Sequence, residues 1–183
     1  MKEKTENRRV RMTKSLLKEA LLEQLETKDL TDISVTALCE AADVNRSTFY
    51  SYYNGPSDLL REIEAEVLDM IPQSPAVLDQ QGEKQLLQAT TAFFDYVRKN
   101  EQTFRILFSG SADAGFSSRL VEILCSQHIP VIKTVNGQSP GFIQHYVANG
   151  TVGMLREWDN SGFPVSSREI AEMMYYLSRK VTG

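Results

Sequence analysis

Residues 35–60 read VTALCEAADVNRSTFYSYYNGPSDLL, and this stretch decides the fold. Its apolar spacing predicts a short helix, a tight turn and a second short helix, followed by the start of a further helix. Asp43, Val44 and Asn45 form the predicted turn, since Asp and Asn tolerate the backbone angles that such turns require. Phe49 and Tyr53 lie four residues apart, so both are predicted to face the core.

The second of these helices is predicted to carry a polar and aromatic outer surface. Its outward residues are Arg46, Ser47, Thr48, Tyr50, Ser51 and Tyr52. Such side chains can donate hydrogen bonds to phosphate oxygens and to base edges. Two short helices joined in this way predict a helix-turn-helix, whose second helix enters the major groove of DNA.

The same stretch resembles the TetR family of bacterial transcriptional regulators. The resemblance is carried by Ala41-Ala42-x-Val44-x-x-Ser47-Thr48-Phe49-Tyr50-x-Tyr52-Tyr53 with Asp58-Leu59-Leu60, and it covers roughly residues 10–70. Two positions depart from the family pattern. Asp43 stands where the family usually has Gly, and Pro56 stands where it often has a Lys that contacts a phosphate. Proline suits the first position of a helix, so only one backbone contact is affected.

The resemblance implies an all-α protein of about nine helices, in which a three-helix DNA-binding domain joins a C-terminal helical bundle. We expect the N-terminal arm and DNA-binding domain over residues 1–55, a connecting helix over residues 56–71, and an effector and dimerisation domain over residues 72–183. In the family the last two long helices pair with those of a second copy. These two helices loosely resemble regulators of dihydroxyacetone kinase operons.

Six residues are the candidate DNA contacts: Thr36, Arg46, Ser47, Thr48, Tyr50 and Tyr52. Arg46 can fork onto guanine O6 and N7. Thr36 begins the crossing helix, where a hydroxyl or amide can meet a phosphate. Tyr50 and Tyr52 match positions that the family uses for backbone and groove contacts. For Tyr52 the alternative is partial burial in the helix packing, because tyrosine is intermediate in burial.

Charge is distributed unevenly along the 183 residues, whose net charge is −4. The first 20 residues hold seven basic and three acidic side chains, so the rest of the chain carries −8. This asymmetry favours a DNA-facing end on an acidic body, although a solvated tail would look the same. Residues 1–12 are predicted to form an arm whose Arg8, Arg9 and Arg11 follow a DNA backbone or a minor groove, with Thr13 as N-cap of the first helix.

Turn residues and apolar spacing set the remaining boundaries. We predict helices over about residues 57–71, 83–99, 116–135 and 142–160, a short helix holding Phe104, Leu107 and Phe108, a linker over 72–82, loops over 110–115 and 136–141, and a last helix capped by Ser166 and Glu169. Gly150 and Gly153 lie inside a predicted helix, which suggests a close backbone approach.

No pattern for an enzyme, a metal or a cofactor is present. His128 and His145 are the only histidines, and Cys39 and Cys125 are far apart, so we predict no metal site, no cofactor and no disulfide. The chain has no apolar run of membrane-spanning length, and we expect no membrane contact and a cytoplasmic location.

An effector site is implied by the resemblance, and the ligand, a small molecule or a protein, is not identified by it. Phe93, Phe94, Phe104, Phe108 and His128 could surround a pocket, or they could fill a solid core. The functional prediction is a homodimeric, sequence-specific regulator bound to a double-stranded operator, and most simply a repressor relieved by an effector. The alternative is a helical interaction module with weak DNA affinity. An enzyme ranks a distant third.

Overall fold

The computed structural model describes residues 8–73, 80–109, 115–127 and 140–182, and within these residues the protein is all-α with nine helices. The helices are α1 (Arg8–Leu25), α2 (Val35–Ala41), α3 (Arg46–Tyr50), α4 (Pro56–Asp69), α5 (Gln80–Lys99), α6 (Glu101–Ser109), α7 (Phe116–Ser126), α8 (Pro140–Asn160) and α9 (Ser167–Thr182), with a short 3-10 turn at Leu30–Asp32. The predicted fold class and number of helices are confirmed. Within the described part of the chain, no helix has the length and hydropathy needed to cross a bilayer.

The first four helices pack around one apolar stripe of α1. Leu17, Ala20, Leu21 and Leu25 are buried there, at the helical spacing that the sequence predicts. Helix α1 contacts both α2 and α4, and α2 contacts α3. The helix-turn-helix is therefore held from behind by α1.

The start of α1 corrects one prediction. We predicted an arm through residue 12 with Thr13 as N-cap, and this is wrong from Arg8 onward, because α1 begins there. Thr13 lies inside the helix, where its hydroxyl donates to the Arg9 carbonyl at 3.0 Å. Arg and Met have high helix propensity, so the helix extends through them. Residues 1–7 lie outside the described part.

The remaining helices form a second packed body. Helix α5 lies against α9, and α8 contacts α6, α7 and α9. Its centre is aromatic: Phe94 meets Trp158 edge-on at 5.1 Å, and Phe104 lies 6.3 Å from both Phe93 and Phe108. Helix α6 also contacts α1, so this short helix joins the two bodies.

Several predicted boundaries shift. The linker prediction was wrong at its C-terminal end, since α5 begins at Gln80 and Gly82 is buried in its first turn. Helix α7 ends at Ser126, and its predicted continuation to residue 135 lies outside the described residues. The loop predicted over 136–141 is described only from residue 140, where α8 already starts. The loop over 110–114 is likewise outside.

Caps at two helix ends match the sequence. The Ser34 hydroxyl accepts from the Ala37 amide at 3.1 Å at the start of α2. Ser166 and Glu169 form the predicted capping box at the start of α9: the Glu169 carboxylate accepts from the Ser166 amide at 2.8 Å, and the Ser166 hydroxyl accepts from the Glu169 amide at 3.2 Å.

The glycines of α8 lie in open space. Gly150 and Gly153 are exposed, and a Cβ atom built on either would meet nothing within 4 Å. The predicted close backbone approach is therefore not made by the described residues of one chain, and an approach by a second copy stays a prediction.

Asp43 provides a test of the turn. Its φ of 52° lies in the left-handed region, which costs an L residue about 1–2 kcal/mol but costs glycine nothing. We expect Asp43→Ala to be less stable than Asp43→Gly by about 1 kcal/mol, after the greater unfolded-state freedom of glycine is allowed for. Urea unfolding measures this difference. The same pair of substitutions at the exposed helical residue Glu40 should give the opposite order, and an identical order at both positions would contradict the assignment.

Candidate nucleic-acid interface

The turn between α2 and α3 is fixed by backbone hydrogen bonds. The Val44 amide donates to the Cys39 carbonyl at 2.9 Å, and Asp43 takes the left-handed conformation that reverses the chain. Leu38 and Ala42 are buried on the α2 side of this junction. The predicted turn over Asp43–Asn45 is confirmed in position.

Two rings seat α3 on the body of the first four helices. Phe49 is fully buried and Tyr53 nearly so, with ring centroids 5.5 Å apart. Tyr50 meets the Phe49 ring edge-on at 5.6 Å while remaining 53% exposed. With its inner side anchored in this way, the outer side of α3 keeps a fixed orientation toward solvent.

The six predicted contact residues all reach solvent. Thr36, Arg46, Ser47, Tyr50 and Tyr52 are exposed and Thr48 is half-buried. Thr36 of α2 and Arg46 of α3 both line one groove of about 320 Å³ between these helices. Ser47, Thr48 and Tyr50 continue along α3 beside it. We call these six residues the reading face.

Sequence reasoning missed Asn45, which lines the same groove. It is exposed at the N-cap of α3, yet its side chain makes no cap hydrogen bond. An Asn amide free of its cap can meet the adenine N6 and N7 positions. The sequence signal was ambiguous, because Asn at that position is equally typical of a turn. Glu40 and Asp43 line the groove as well, so the local charge near Arg46 is mixed.

Lys14 ties Tyr52 to the scaffold. The Lys14 ammonium lies 5.9 Å from the ring centroids of both Tyr52 and Tyr53, and it pairs with the Glu62 carboxylate at 3.2 Å. Tyr52 is 38% exposed, so the ring lies partly in the packing and partly in solvent. Both interpretations of Tyr52 thus describe part of its environment.

Asp58 fastens the loop after α3 to the start of α4. Its carboxylate accepts from the Asn54 amide at 3.0 Å and from the Asn54 side chain at 2.6 Å, and it pairs with Arg61 at 2.6 Å. The Asn54 amide foremost, with the Asn54 side chain and Arg61, lowers the pKa of Asp58 below its usual value. Pro56 occupies the first turn of α4, as its fixed φ allows.

Carboxylates of α4 form ion pairs with α1 on one side and with α7 on the other. Glu62 and Glu66 pair with Lys18 on α1 at 2.8 Å and 2.6 Å. Glu64 is 3% exposed and pairs with Arg119 on α7 at 2.6 Å. At the far end of α4, the Pro72 carbonyl accepts from the Gln127 side chain at 3.0 Å. An ion pair and a hydrogen bond thus connect α7 and the residue after it to α4 and the segment that follows α4.

A cavity of about 180 Å³ lies between α5, α7, α8 and α9, beside the end of α4. Of the aromatic residues proposed around a pocket, Phe93 and Phe94 line it. Phe104 and Phe108 pack in the core instead, and His128 lies outside the described residues. All four phenylalanines belong to the buried core, and Phe93 and Phe94 line the cavity as well.

The remaining candidate chemistry is sparse. His145 lies 3.5 Å from the Cys125 sulfur, and burial raises the pKa of that thiol. A single Cys–His contact does not make a metal site, and the described residues hold no group of three or more metal-binding side chains.

Comparison with known proteins decides the family. A family model described as a transcriptional regulator C-terminal region of the TetR type matches residues 84–180, just over half of the chain. The chain belongs to the TetR family of transcriptional regulators. It is accordingly a transcription factor and not an enzyme, as its sequence predicts. A search of curated proteins finds no match.

Solved structures share the fold of this TetR-family chain. A TetR regulator from Streptococcus agalactiae 2603V is 20% identical, with a TM-score of 0.68 over 93% of this chain and 96% of that one. The dihydroxyacetone kinase operon activator DhaS is 16% identical, with a TM-score of 0.64 and coverages of 93% and 96%. NalD, the secondary repressor of the MexAB-OprM efflux pump in Pseudomonas aeruginosa, is 14% identical, with a TM-score of 0.65 and coverages of 94% and 97%.

The lowered pKa of Asp58 makes its contribution to stability dependent on pH. Stabilisation by this carboxylate is present above the ordinary aspartate pKa of about 3.9 and is lost as pH falls through the lower folded value. We expect Asp58→Asn to lower the urea midpoint at pH 7, and the difference from wild type to vanish in strong acid. The control is Asp95→Asn on the exposed side of α5. A pH-independent difference for Asp58→Asn would contradict the role of the carboxylate.

Proposed function

We propose that this TetR-family protein is a sequence-specific repressor of the cytoplasm, released from DNA when an effector binds its C-terminal body. One observation carries the DNA-binding part: the reading face is polar and solvent-facing, while the buried Phe49 and Tyr53 fix the helix behind it. Because α3 is fixed in this way, its outward side chains can enter the major groove without the helix first becoming ordered. This lowers the entropy cost of binding.

The residues of this interface can be grouped by the part of DNA, base or phosphate, that each is suited to contact. Arg46 can take guanine and Asn45 adenine, and both supply sequence discrimination. Thr36, Ser47 and Tyr50 suit phosphate oxygens through their hydroxyls, which supply affinity and register. Arg8, Arg9 and Arg11 lie on the first turns of α1, so these cations would approach a phosphate backbone from a helix and not as an extended arm.

Dimerisation through α8 and α9 is part of the proposal. Phe142 is 72% exposed and Tyr146 69% exposed along one side of α8. Met173, Tyr176 and Leu177 are 49%, 58% and 47% exposed on α9. Contiguous apolar side chains at helical spacing are typical of a helix–helix interface between copies. A twofold axis there would present two reading faces to half-sites repeating at about 34–36 Å or a multiple of it.

Effector relief requires a route from the cavity to the reading face. Leu120 and Leu124 of α7 line the cavity, and Arg119 of the same helix pairs with Glu64 of α4. Ile71 and Pro72, just beyond α4, line the cavity directly. A ligand that displaces α7 would thus rotate α4 and change the separation of the two reading faces, in the manner of a rigid-body switch.

A second candidate function is a helical co-regulator with weak DNA affinity. The exposed carboxylates of Glu40 and Asp43 beside Arg46 favour it, because like charges repel phosphate. The DNA upstream of the gene for this protein distinguishes the two functions in fluorescence anisotropy at two salt concentrations. Tight, salt-sensitive binding to that DNA alone supports the regulator. Weak and equal binding to unrelated DNA supports the co-regulator.

Substitutions of Arg46 and of Tyr50 should affect DNA binding in different ways. We expect Arg46→Ala to reduce discrimination between operator and single-base variants by about 1–3 kcal/mol. Tyr50→Phe should weaken binding to all these sequences by a similar amount, about 0.5–1.5 kcal/mol. Anisotropy titrations against a set of operator variants measure both. Equal loss of discrimination in the two variants would contradict the division into base and phosphate contacts.

A substitution at Leu177 tests the proposed dimer interface. We expect Leu177→Glu to weaken self-association by about tenfold or more, because a carboxylate would be buried against apolar partners. Sedimentation equilibrium measures the change, and circular dichroism checks that the helices remain. Arg98→Glu on the exposed side of α5 is the control. Unchanged association in Leu177→Glu would place the interface elsewhere.

A further inference from the structure

The ring of Tyr52 is supported from behind the reading face by two side chains. It lies 6.3 Å from the ring of the buried Tyr53, edge to face, and the Lys14 ammonium lies 5.9 Å from the centroids of both rings. A cation within about 6 Å of an aromatic face is attracted to that face. The position of the Tyr52 ring therefore depends on a side chain of α1 as well as on the helix-turn-helix itself.

The Lys14 ammonium is held in turn by α4. It lies 3.2 Å from the Glu62 carboxylate, and Lys18, one turn further along α1, lies 2.8 Å from the same carboxylate. The Lys14 and Glu62 side chains are 23% and 29% exposed, so their ion pair is partly shielded from water and is screened less by salt than an exposed pair. Glu62 thus fixes the direction in which the Lys14 side chain extends.

An ordered Tyr52 ring favours DNA binding. Tyr52 is 38% exposed, and its hydroxyl suits a phosphate oxygen or a base edge. A side chain that moves freely in solvent loses rotamer freedom when it binds, whereas a side chain that is already held loses less. Lys14 lowers this entropy cost for Tyr52, because it restricts the ring before DNA arrives.

We propose that Glu62 and Lys14 are positioning residues for DNA binding, which act on the operator through Tyr52 and do not touch DNA themselves. This inference rests on the proposed DNA-binding function and adds to it two residues that lie outside the reading face. Glu62 orients Lys14, and Lys14 orients the Tyr52 ring. We call these three residues the Tyr52 relay.

Simple electrostatics makes the opposite prediction for Glu62. Attraction to phosphate supplies much of the affinity for DNA, so removal of a carboxylate beside two lysines should tighten binding. The Tyr52 relay instead predicts weaker operator binding by Glu62→Gln, because Lys14 loses the partner that directs it. The sign of the change therefore separates the two accounts. Glu66→Gln removes a carboxylate that pairs with Lys18, and it should tighten binding slightly or leave it unchanged.

Fluorescence anisotropy of the full-length protein with the DNA upstream of its gene measures these effects at two salt concentrations. At the higher concentration, where long-range attraction is screened, we expect Lys14→Met and Glu62→Gln each to weaken binding by about two- to tenfold, the range of one hydrogen bond. The matched control is Lys18→Met, which removes the other ammonium beside Glu62. Among the described residues Lys18 makes no contact with Tyr52, so this variant should bind almost as wild type.

Three further variants distinguish positioning from a direct contact and from general loss of structure. Removal of a lysine that bonds a phosphate lowers the slope of log affinity against log salt by about 0.9, whereas Lys14→Met should leave the slope nearly unchanged. In a Tyr52→Ala background Lys14→Met should have no further effect, and Lys14→Arg, which keeps the charge beside the rings, should retain binding. Tighter binding by Glu62→Gln, a slope lowered by one phosphate in Lys14→Met, or an undiminished effect in the Tyr52→Ala background would each overturn the inference.

A measurement without DNA separates the Tyr52 relay from the proposed function. In protein with isotope-labelled tyrosine, the ring resonance assigned through Tyr52→Phe should shift in Lys14→Met and in Glu62→Gln but not in Lys18→Met. Such shifts, with no preference of the wild type for the upstream DNA, support the relay and reject the proposed function. Specific binding by the wild type, with an unmoved Tyr52 resonance in both variants, supports the function and overturns the inference.

Discussion

The ion pair between Glu64 and Arg119 links α4 to α7. The Glu64 side chain is 3% exposed, and its carboxylate lies 2.6 Å from the guanidinium of Arg119, which is 38% exposed. Loss of Arg119 would leave a buried carboxylate without this partner, which is costly, so the pair favours one relative position of α4 and α7. On the other side of α4, Lys18 pairs with Glu62 and Glu66. The helix that follows the reading face is thus held by charges on two sides.

Further contacts connect the two groups of helices. Packed interfaces change between discrete arrangements and do not deform smoothly. Gln127 fixes the end of α7 to Pro72, and α6 connects the C-terminal body to α1. The proposed route from the cavity to the first four helices would run through these contacts.

Local chemistry explains which features the sequence predicted. The inward Phe49 and Tyr53, the Ser34 cap and the capping box at Ser166 depend on neighbours within four residues, so spacing alone specifies them. Apolar spacing and turn residues predicted the helix-turn-helix, and the family resemblance implied the all-α body. The start of α1 was missed because a run of arginines is compatible with both a solvated arm and a helix.

Features that depend on distant residues were not predictable in the same way. Phe93, Phe94, Phe104 and Phe108 are all buried helical residues, yet only the first two of these four line the cavity. What distinguishes them is the placement of α8 and α9, which no local pattern encodes. The candidate role of Asn45 was not predictable for a similar reason, because a turn residue and a base-reading residue have the same sequence signature. Only the structure shows that the Asn45 side chain makes no cap hydrogen bond at the start of α3.

Gly150 and Gly153 give α8 a thermodynamic asymmetry between the single chain and the proposed dimer. Each interior glycine lowers helix stability by about 0.5–1 kcal/mol relative to alanine, and among the described residues of one chain none packs against the space it leaves. That loss is recovered only if a second backbone approaches closely. The isolated subunit is then the less completely folded species, and α8 would gain order at the moment of assembly. Protein concentration, as well as effector, would in that case set how rigidly the wall of the cavity is held.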